Sequence, residues 1–367
     1  MHTFLANHEL ADIEAKVTAG ERLSREDGIR LYRSPDLLFI GYLANLVRTR
    51  KNGNKTYFNV NRHINHTNVC KNLCQLCAFG RKAEDPGAYT LSLDEVEAKA
   101  RECHGLKISE IHIVGGLNPE LKLDYYLAML RRVRTAAPNA AIKAFTAVEI
   151  DYLATLHNMS LTDVIKALRE AGLDSLPGGG AEIFAQRVRD IICSQKISAR
   201  RWLEVHAAAH GLGMKTNATM LYGHVETIEE RIDHLIQLRL LQDRTGGFLA
   251  FIPLAFHPRN TALADHNLSL TTGFDDLKTL AIARLMLDNF DHIKAYWVML
   301  GPKIAQVALH FGADDLDGTV VEEKIVHEAG AATAQMMAKS RLINLIKSAG
   351  KEPVERDTLY NVIEEGF

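Results

Sequence analysis

Residues 57–82 read YFNVNRHINHTNVCKNLCQLCAFGRK. The stretch predicts a β-strand over residues 57–66 that leads into a loop carrying Cys70, Cys74 and Cys77. The C-x3-C-x2-C spacing brings three thiolates to one small site and offers no fourth. Structural zinc sites and electron-carrying iron–sulfur proteins use four protein ligands. The loop therefore predicts a [4Fe-4S] cluster in which one iron stays free to bind a substrate.

The other cysteines and one histidine bear on an alternative. His66 lies four residues before Cys70 and is a possible fourth ligand of a zinc knuckle. Cys103 and Cys193 stand singly in amphipathic stretches, which is typical of small core residues. The chain has five cysteines, an odd number, and its first residues lack the apolar segment of a signal peptide. We therefore expect a reducing compartment and a cytoplasmic location.

The composition predicts a large core and excludes two classes of partner. With 367 residues, 47% of them hydrophobic, the chain can bury a sizeable core. Its 43 basic and 45 acidic residues are interspersed and give a net charge of -2, so it lacks the basic stripe of a nucleic-acid-binding protein. The longest apolar runs are well short of the roughly 20 residues that span a bilayer. We expect neither nucleic acid nor membrane as a partner.

Beyond residue 53, short strand-like runs alternate with longer helical ones. The predicted strands cover residues 57–66, 109–114, 142–148, 173–176, 215–221, 248–254 and 293–299, with a possible last one near 306–311. The predicted helices cover residues 123–136, 160–171, 181–193, 199–211, 227–243 and 276–289, and one more follows Ser92. Strands separated by helices of this length pair in parallel, so the pattern predicts an α/β fold, a TIM-type (β/α) barrel.

Helical periodicity also precedes the barrel, over about residues 6–50, with a break near Ser34 and Pro35. We divide the chain into an N-terminal helical extension (residues 1–52), the barrel (residues 53–318) and a C-terminal helical extension (residues 319–367). A Pro/Gly/Ser-rich linker that would mark a second domain is absent from the sequence.

In a TIM-type barrel the chemistry lies on the loops that follow the strands. Gly115 and Gly116 follow the second predicted strand and allow the backbone to approach a ligand closely. Glu149 follows the third, where a carboxylate can accept hydrogen bonds from a ribose or an ammonium. The remaining candidates are polar or cationic groups on or after other strands, namely His66, Arg81, Asn217, Thr219, Tyr222, His257 and Arg259. Each alone is also compatible with a surface charge or a satisfied polar group in the core.

The cysteine spacing after the first strand, with a glycine pair after the second, resembles the radical S-adenosylmethionine (SAM) superfamily. In that superfamily the open iron binds the amino and carboxylate groups of S-adenosyl-L-methionine, and an electron from the cluster cleaves it to methionine and a 5'-deoxyadenosyl radical. The resemblance implies a [4Fe-4S] cluster as cofactor and S-adenosyl-L-methionine as co-substrate. The implied cluster ligands are Cys70, Cys74 and Cys77, and the implied contacts to S-adenosyl-L-methionine are Gly115, Gly116, Glu149, Asn217 and Thr219.

Within the superfamily, long stretches resemble the aminofutalosine synthases of menaquinone biosynthesis, among them KAFTAVEI (143–150), LPGGGAEIF (176–184) and GADDLDGTVVEEKI (312–325). The resemblance covers most of residues 60–330. It implies that the adenosyl group is retained. The radical would add to the enol-ether double bond of 3-[(1-carboxyvinyl)oxy]benzoate, the aryl ring would migrate, and loss of the pyruvyl carboxylate would give 6-amino-6-deoxyfutalosine.

The implied substrate carries two carboxylates, which require cationic or donating partners. The best candidates in the sequence are Arg81, Arg259, His66 and His257, with Tyr222 as a further catalytic candidate. The implied electron donor is a small carrier such as a flavodoxin or ferredoxin. Two alternatives stay open. One is a sibling radical enzyme, either a cyclic dehypoxanthine futalosine synthase or a deazaflavin-forming synthase, and the other is a non-enzymatic zinc or iron–sulfur protein.

Overall fold

The computed structural model describes residues 9–102, 107–264, 268 and 270–367. Three helices come before the first strand, as the periodicity predicts: α1 (Ala11–Ala19), α2 (Arg25–Arg33) and α3 (Leu37–Asn52). The break near Pro35 is confirmed, because the Asp36 side chain accepts a hydrogen bond from Phe39 N–H and caps α3 anew.

Strands and helices alternate over the rest of the chain. The strands are β1 (Lys55–Asn59), β2 (Asn61–Ile64), β3 (Glu110–Ile113), β4 (Ala141–Ala144), β5 (Thr216–Tyr222), β6 (Phe248–Ala255), β7 (His292–Ile293), β8 (Asp315–Gly318), β9 (Glu352–Arg356) and β10 (Val362–Glu365). The helices are α4 (Leu93–Arg101), α5 (Leu123–Ala136), α6 (Ala147–Leu156), α7 (Leu161–Glu170), α8 (Gln186–Ile192), α9 (Ala199–Gly211), α10 (Ile228–Thr245), α11 (Gly273–Met286), α12 (Trp297–Leu300), α13 (Pro302–Ala308), α14 (Ile325–Glu328) and α15 (Lys339–Ser348).

The parallel strands close into a ring. Strands β2, β3 and β4 pair in parallel, as do β5, β6 and β7, and β1 pairs with β8. Isolated parallel bridges join these pieces, namely Lys143 with Ser175, Leu176 with Thr216, Lys294 with Asp315 and Arg62 with Val321. The prediction of a TIM-type barrel is therefore confirmed.

The prediction of a last strand near residues 306–311 is wrong, because α13 occupies Pro302–Ala308. Proline in the first turn favours a helix start, since its missing N–H is not needed there. The eighth barrel strand is β8, an acidic segment whose charges are neutralised by distant residues. Asp315 accepts a hydrogen bond from Arg356 at 2.6 Å, and Asp317 accepts one from Lys294 at 2.9 Å.

Four other predicted elements are shorter in the structure. The strand expected over residues 142–148 ends at Ala144, because Thr146 caps α6. The strand expected over residues 293–299 is limited to β7, and α12 follows it. Residues 173–176 form only isolated bridges, and the helix expected over residues 181–193 begins at Gln186. In the first two cases a helix begins inside the apolar run and ends the strand early.

The C-terminal extension, expected to be helical, contains two strands besides α14 and α15. Strand β9 pairs in parallel with β1, and β10 pairs with β9 in antiparallel fashion. From this segment Arg356 reaches Asp315, and Thr358 donates a hydrogen bond to Glu110 at 2.7 Å. The extension therefore closes the amino-terminal end of the barrel. Its boundary at residue 319 stays a prediction.

Two further predictions concern the core and the membrane. Cys193 is 2% exposed in the apolar core, as expected, whereas Cys103 lies outside the described residues. Within the described ranges, each helix is too short or too polar to cross a membrane. The predicted cytoplasmic location stays a prediction.

Candidate functional site

A cavity of about 340 Å³ lies where the barrel strands end at their carboxyl termini. It is lined by nine of the residues that the sequence singles out, namely Cys70, Cys74, Cys77, Gly115, Gly116, Glu149, Asn217, Thr219 and His257. These residues follow or belong to five different strands. The barrel therefore brings together groups that are up to 187 residues apart in the chain, since Cys70 and His257 share one cavity.

The cysteine loop is held by hydrogen bonds from its own backbone. Cys77 N–H donates to the Cys74 carbonyl at 2.9 Å, and Gly80 N–H donates to the Cys77 thiol at 3.4 Å. Cys70 lies across Gly80 from Cys77, because a Cβ built on Gly80 would lie 3.6 Å from Cys70 Cβ and 3.8 Å from Cys77 Sγ. The loop thus gathers three thiols on one wall of the cavity.

This donor set fits an iron–sulfur cluster better than a single zinc ion. Zinc needs its ligands around one point, at about 2.3 Å from each sulfur. In the part of the chain that the structure describes, three or more metal-ligating side chains do not converge in this way. His66, the possible fourth zinc ligand, is fully buried and packs against the rings of Tyr125, Tyr126 and Phe145. Three thiols that share one cavity wall without converging on one point suit a cubane, whose irons lie at separate corners.

The thiols lie at different depths. Burial raises the pKa of the Cys74 thiol to about 12, so metal binding at this residue must displace a firmly held proton. Cys70 and Cys77 are partly exposed. A cluster bound here would therefore have one buried ligand and two ligands near the protein surface.

Gly115 and Gly116 have no room for a side chain on the side away from the cavity. A Cβ on Gly115 would lie 2.5 Å from His66 Cε1, and one on Gly116 would overlap the carbonyl oxygen of Val69. Gly116 N–H donates to the Thr67 carbonyl at 2.9 Å. The glycine pair therefore packs directly against the cysteine loop, and its backbone forms part of the cavity wall.

Glu149 connects the glycine pair to α6. Its Oε1 accepts a hydrogen bond from Gly115 N–H at 3.1 Å, and its Oε2 accepts from the N–H and the hydroxyl of Thr146 at 2.7 and 2.9 Å. Thr146 and Glu149 together form the capping box of α6. Burial raises the pKa of Glu149 from its ordinary value of 4.5 to about 7, although these hydrogen bonds oppose the shift.

The raised pKa of Glu149 predicts a pH-dependent stability. The folded state holds this proton more tightly than the unfolded state, so the stabilisation is complete below about pH 4.5 and is lost as the pH rises towards 7. Glu149→Gln removes this contribution of about 3 kcal/mol to the pH dependence. The free energy of unfolding, measured with denaturant at pH 5 and pH 7.5, should therefore fall less between the two pH values in the variant than in the wild type.

Glu95→Gln is the matched control, because Glu95 forms the same capping box for α4 at the protein surface. The hydrogen bonds from Ser92 lower the pKa of Glu95 from its ordinary value of 4.5, so its variant changes stability mainly below about pH 4.5 and leaves the difference between pH 5 and pH 7.5 nearly unchanged. Equal pH slopes for the wild type and Glu149→Gln would contradict the assignment.

The triple glycine Gly178–Gly180 and strand β5 form the next part of the wall. A Cβ on Gly178 would lie 2.7 Å from the backbone of Ala218, and the Thr219 hydroxyl donates to the Gly178 carbonyl at 2.6 Å. Asn217 is 3% exposed, and within the described residues its Oδ1 has no hydrogen-bond partner. A buried amide oxygen of this kind is costly unless a ligand satisfies it.

The other four predicted residues lie outside the lining of this cavity as the described residues define it. His66 lies behind Gly115, and burial lowers its pKa to about 3. The Tyr222 hydroxyl donates to Asp276 at 2.7 Å in the core. Arg81 donates to the carbonyls of Ala78 and Gly80, so it braces the cysteine loop. Arg259 is exposed at the surface.

Several cavity residues are absent from the sequence-based candidates. The deeper part of the lining includes His63, His112, Lys143, Lys294, Tyr296 and Asp317, and one side wall carries the ion pair between Lys196 and Glu182. One sequence signal marks two of them, because IKAF (142–145) and IKAY (293–296) each place a lysine inside an otherwise apolar strand. A lysine in such a run needs a buried partner.

Comparisons with known proteins agree with this architecture. Residues 64–238 match the family model of the radical SAM superfamily, and residues 245–366 match that of the CofH/MqnC C-terminal region. Among solved structures, methylornithine synthase (PylB) superimposes with a TM-score of 0.74 at 17% identity, over 93% of this chain and 97% of that chain. The hydrogenase maturase HydG gives a TM-score of 0.75 at 14% identity, over 94% and 75% of the two chains. At these identities the likeness concerns the fold alone.

Sequence relatives define the family more closely. The aminodeoxyfutalosine synthase of Thermus thermophilus is 50% identical over 96% of this chain and 96% of its own. That of Streptomyces coelicolor is 46% identical over 96% and 94% of the two chains. A 5-amino-6-(D-ribitylamino)uracil--L-tyrosine 4-hydroxyphenyl transferase of Methanococcoides burtonii is 38% identical over 93% and 96%. This chain therefore belongs to the radical SAM superfamily and, within it, to the family of the aminodeoxyfutalosine synthases.

Proposed function

We propose that this enzyme joins the 5'-deoxyadenosyl group of S-adenosyl-L-methionine to 3-[(1-carboxyvinyl)oxy]benzoate. The aryl ring moves from the ether oxygen to the neighbouring carbon and the pyruvyl carboxylate is lost, which gives 6-amino-6-deoxyfutalosine. One observation carries the proposal. Three thiols, a glycine pair and Glu149 line a single cavity in a chain that is 50% identical to an enzyme named for this product.

Cys70, Cys74 and Cys77 would hold a [4Fe-4S] cluster, which when bound supplies the electron that cleaves S-adenosyl-L-methionine. The backbone of Gly115 and Gly116 would receive the methionine end of the co-substrate, because the pair forms cavity wall beside the cysteine loop. Asn217 Oδ1 would accept a hydrogen bond from the nucleoside. Thr219 has a positioning role, since its hydroxyl holds the Gly178 carbonyl.

The aromatic substrate would lie against an apolar part of the same cavity. Leu221, Leu254, Phe256 and Met299 line this part, and they exclude water and hydrogen donors from the reacting carbon atoms. His257 borders it and hydrogen-bonds through Nε2 to the Met299 carbonyl at 3.2 Å. Of the four groups proposed for the substrate carboxylates, His257 alone lies in the described lining of the cavity.

A small electron carrier such as a flavodoxin or ferredoxin is the proposed electron donor. The support is the partial exposure of Cys70 and Cys77, which places one edge of the cluster site near the surface. Arg81 follows the loop and bonds to its carbonyls, so its proposed role changes from substrate binding to support of the cluster loop.

A single anaerobic turnover tests the proposed function. The reconstituted enzyme is mixed with dithionite, S-adenosyl-L-methionine and 3-[(1-carboxyvinyl)oxy]benzoate, and the products are analysed by mass spectrometry. We expect 6-amino-6-deoxyfutalosine and methionine in equal amounts, with carbon dioxide released.

Three other outcomes would contradict the proposal. Free 5'-deoxyadenosine without a coupled product would favour a sibling radical enzyme. The substrates named for the archaeal relative, 5-amino-6-(D-ribitylamino)uracil and L-tyrosine, serve as the matched control, and turnover of this pair would contradict the proposal. Zinc as the bound metal, with S-adenosyl-L-methionine left intact, would favour the non-enzymatic alternative.

A further inference from the structure

The deep end of the cavity is a layer of polar side chains inside the barrel. His63 on β2, His112 on β3 and Lys143 on β4 stand side by side, because the strand register aligns these three residues. Two residues from the other side of the barrel complete the layer, namely Lys294, which follows β7, and Asp317 on β8. Since the cysteine loop follows the end of β2, this layer lies below it, at the opposite end of the cavity.

His63 has an unused hydrogen-bonding group in this layer. The residue is 7% exposed, and its ring stacks on that of His112 with centroids 4.6 Å apart and an angle of 10° between the planes. Its Nε2 is buried and has no partner among the described residues. A buried ring nitrogen left in this state costs free energy that a ligand could recover. His63 is among the residues that line the cavity, so a ligand bound there lies beside this ring.

The two lysines add donors to the same place. Lys143 Nζ lies 2.7 Å from Glu110 Oε1, and Lys294 Nζ lies 2.9 Å from Asp317 Oδ1. The side chains of Lys143 and Lys294 are 4% and 1% exposed, so both ammonium groups are shielded from bulk water. An ammonium has three donors, and each acid occupies only part of them. Glu110 and Asp317 balance the two lysine charges, and each ammonium keeps donors for a further acceptor. Glu323, whose charge also acts on His63, lines the same cavity.

The floor of this layer is closed from the amino-terminal side. Glu110 faces it and is itself held by Thr358 at 2.7 Å. Burial opposes the charged form of Glu110, but Lys143, Lys294, His112 and Arg356 keep its pKa well below its ordinary range. Glu110 is therefore an anion that fixes Lys143 in place. A second acceptor has to come from the cavity side.

We propose that this layer is the anchor for the carboxylate on the aromatic ring of the substrate, with His63 Nε2 as a donor and Lys143 and Lys294 beside it. The inference rests on the proposed function and names the subsite that its substrate requires. The enol-ether double bond must face the cysteine end of the cavity, where the adenosyl group would be released. The ring carboxylate, at the opposite end of the substrate, then points to the polar layer.

The position of these residues explains why the predicted arginines are not needed. A dicarboxylate whose ring carboxylate is bound at the floor requires no guanidinium there, because buried lysines and a histidine supply charge-assisted hydrogen bonds. Burial lowers the pKa of His63 and lowers that of His112 well below its ordinary value, where the Lys143 ammonium adds to the effect. His63 therefore binds as a neutral imidazole with one N–H, and it acts as a specificity residue.

Binding measurements on the holoenzyme test this assignment without turnover. The reconstituted protein with S-adenosyl-L-methionine, but without reductant, is titrated with 3-[(1-carboxyvinyl)oxy]benzoate and with 2-phenoxyacrylate, which lacks the ring carboxylate. His63→Phe keeps the stacking on His112 and removes both ring nitrogens. We expect this variant to bind the benzoate about 10-fold more weakly or worse, since a hydrogen bond to a charged group is lost. Its affinity for 2-phenoxyacrylate should stay within about twofold of the wild type, because that ligand never makes this bond.

His206→Phe is the matched control. His206 is fully buried and, like His63, has an Nε2 without a partner in the described ranges, but it lies outside the lining of the cavity and packs against Trp202 with the ring planes 35° apart. We expect this variant to bind both ligands as the wild type does. Circular dichroism and cluster absorbance establish that each variant is folded and loaded.

The outcomes separate the subsite from the function. If His63→Phe weakens both ligands equally, or neither, while the wild type makes the coupled product, the anchor is overturned and the proposed function stands. If the wild type binds the benzoate no more tightly than 2-phenoxyacrylate and makes no product, both are overturned. If His63→Phe fails to fold, the test uses the wild type, and its affinity for 4-[(1-carboxyvinyl)oxy]benzoate is compared with that for the 3-substituted substrate. A fixed anchor predicts at least about 10-fold weaker binding of this isomer, and equal binding would refute it.

Discussion

Replacement of Cys74 by alanine is expected to give a folded protein that carries no cubane and forms no product. Cys74 is one of three thiols in the cavity, and the chain offers a cluster no spare ligand in its motif. The loss should appear as disappearance of the broad absorbance near about 400 nm after anaerobic reconstitution. Turnover should fall below detection, because the cofactor carries the difficult step and the protein only orients the reactants.

Cys193→Ala is the matched control and also tests the open coordination site. Cys193 is a buried free cysteine, and it lies close enough to Cys74 to raise the pKa of that thiol through its charge, although burial is the main cause of the shift. We expect this variant to keep its iron, its absorbance and its activity. Loss of the cluster in Cys193→Ala would show that the protein supplies a fourth ligand, and the radical pathway would then lack its binding corner.

Local signals account for the parts of the fold that the sequence predicts well. The capping boxes at Ser92 with Glu95 and at Thr227 with Glu230 start α4 and α10 in the structure, because both hydrogen bonds of each box are formed by residues three positions apart. The long periodic helices are found for the same reason, since one turn is enough to show which face is apolar.

The errors arise where a distant partner decides the local structure. Strand β8 has an acidic sequence that disfavours a strand by propensity, and it forms because Arg356 and Lys294 neutralise Asp315 and Asp317. The sequence does not show which residues form these ion pairs. Near Glu149 a local signal is overlooked. The capping box of Thr146 and Glu149 ends the predicted strand early and turns the carboxylate towards Gly115.

The residues of the candidate site also fall into those that the sequence predicts and those that it misses. The cysteines and glycines are predicted because their chemistry depends on type and spacing alone. Lys143 is missed because its apolar run indicates that it needs a buried partner but does not identify one, and only the pairing across β3 and β4 shows that this partner is Glu110. Charge favours Arg81 and Arg259 as substrate ligands, but charge does not determine on which side of a loop a side chain lies.

Gly116→Ala is expected to destabilise the protein by about 3 kcal/mol and to lower its melting temperature by roughly 4 °C. A Cβ at this position would overlap the Val69 carbonyl and lie 3.0 Å from Cys70 Cβ. The Val69 carbonyl belongs to the backbone, so it cannot rotate away from the new methyl group as a side chain can. The cysteine loop must therefore shift, and the iron content after reconstitution should fall together with the melting temperature.

Gly211→Ala separates this effect from the general cost of adding a methyl group. Gly211 ends α9, and a Cβ there would have no neighbour within 4 Å among the described atoms. We expect this variant to match or slightly exceed the wild type in stability, because alanine restricts the unfolded chain more than glycine does. If Gly116→Ala keeps full iron content and melts as Gly211→Ala does, the glycine pair does not press on the cluster loop. Loss of iron in Gly116→Ala alone would show that the glycine pair after β3 positions the thiols. Through the thiols, the pair also positions the one corner of the cluster that the protein leaves free.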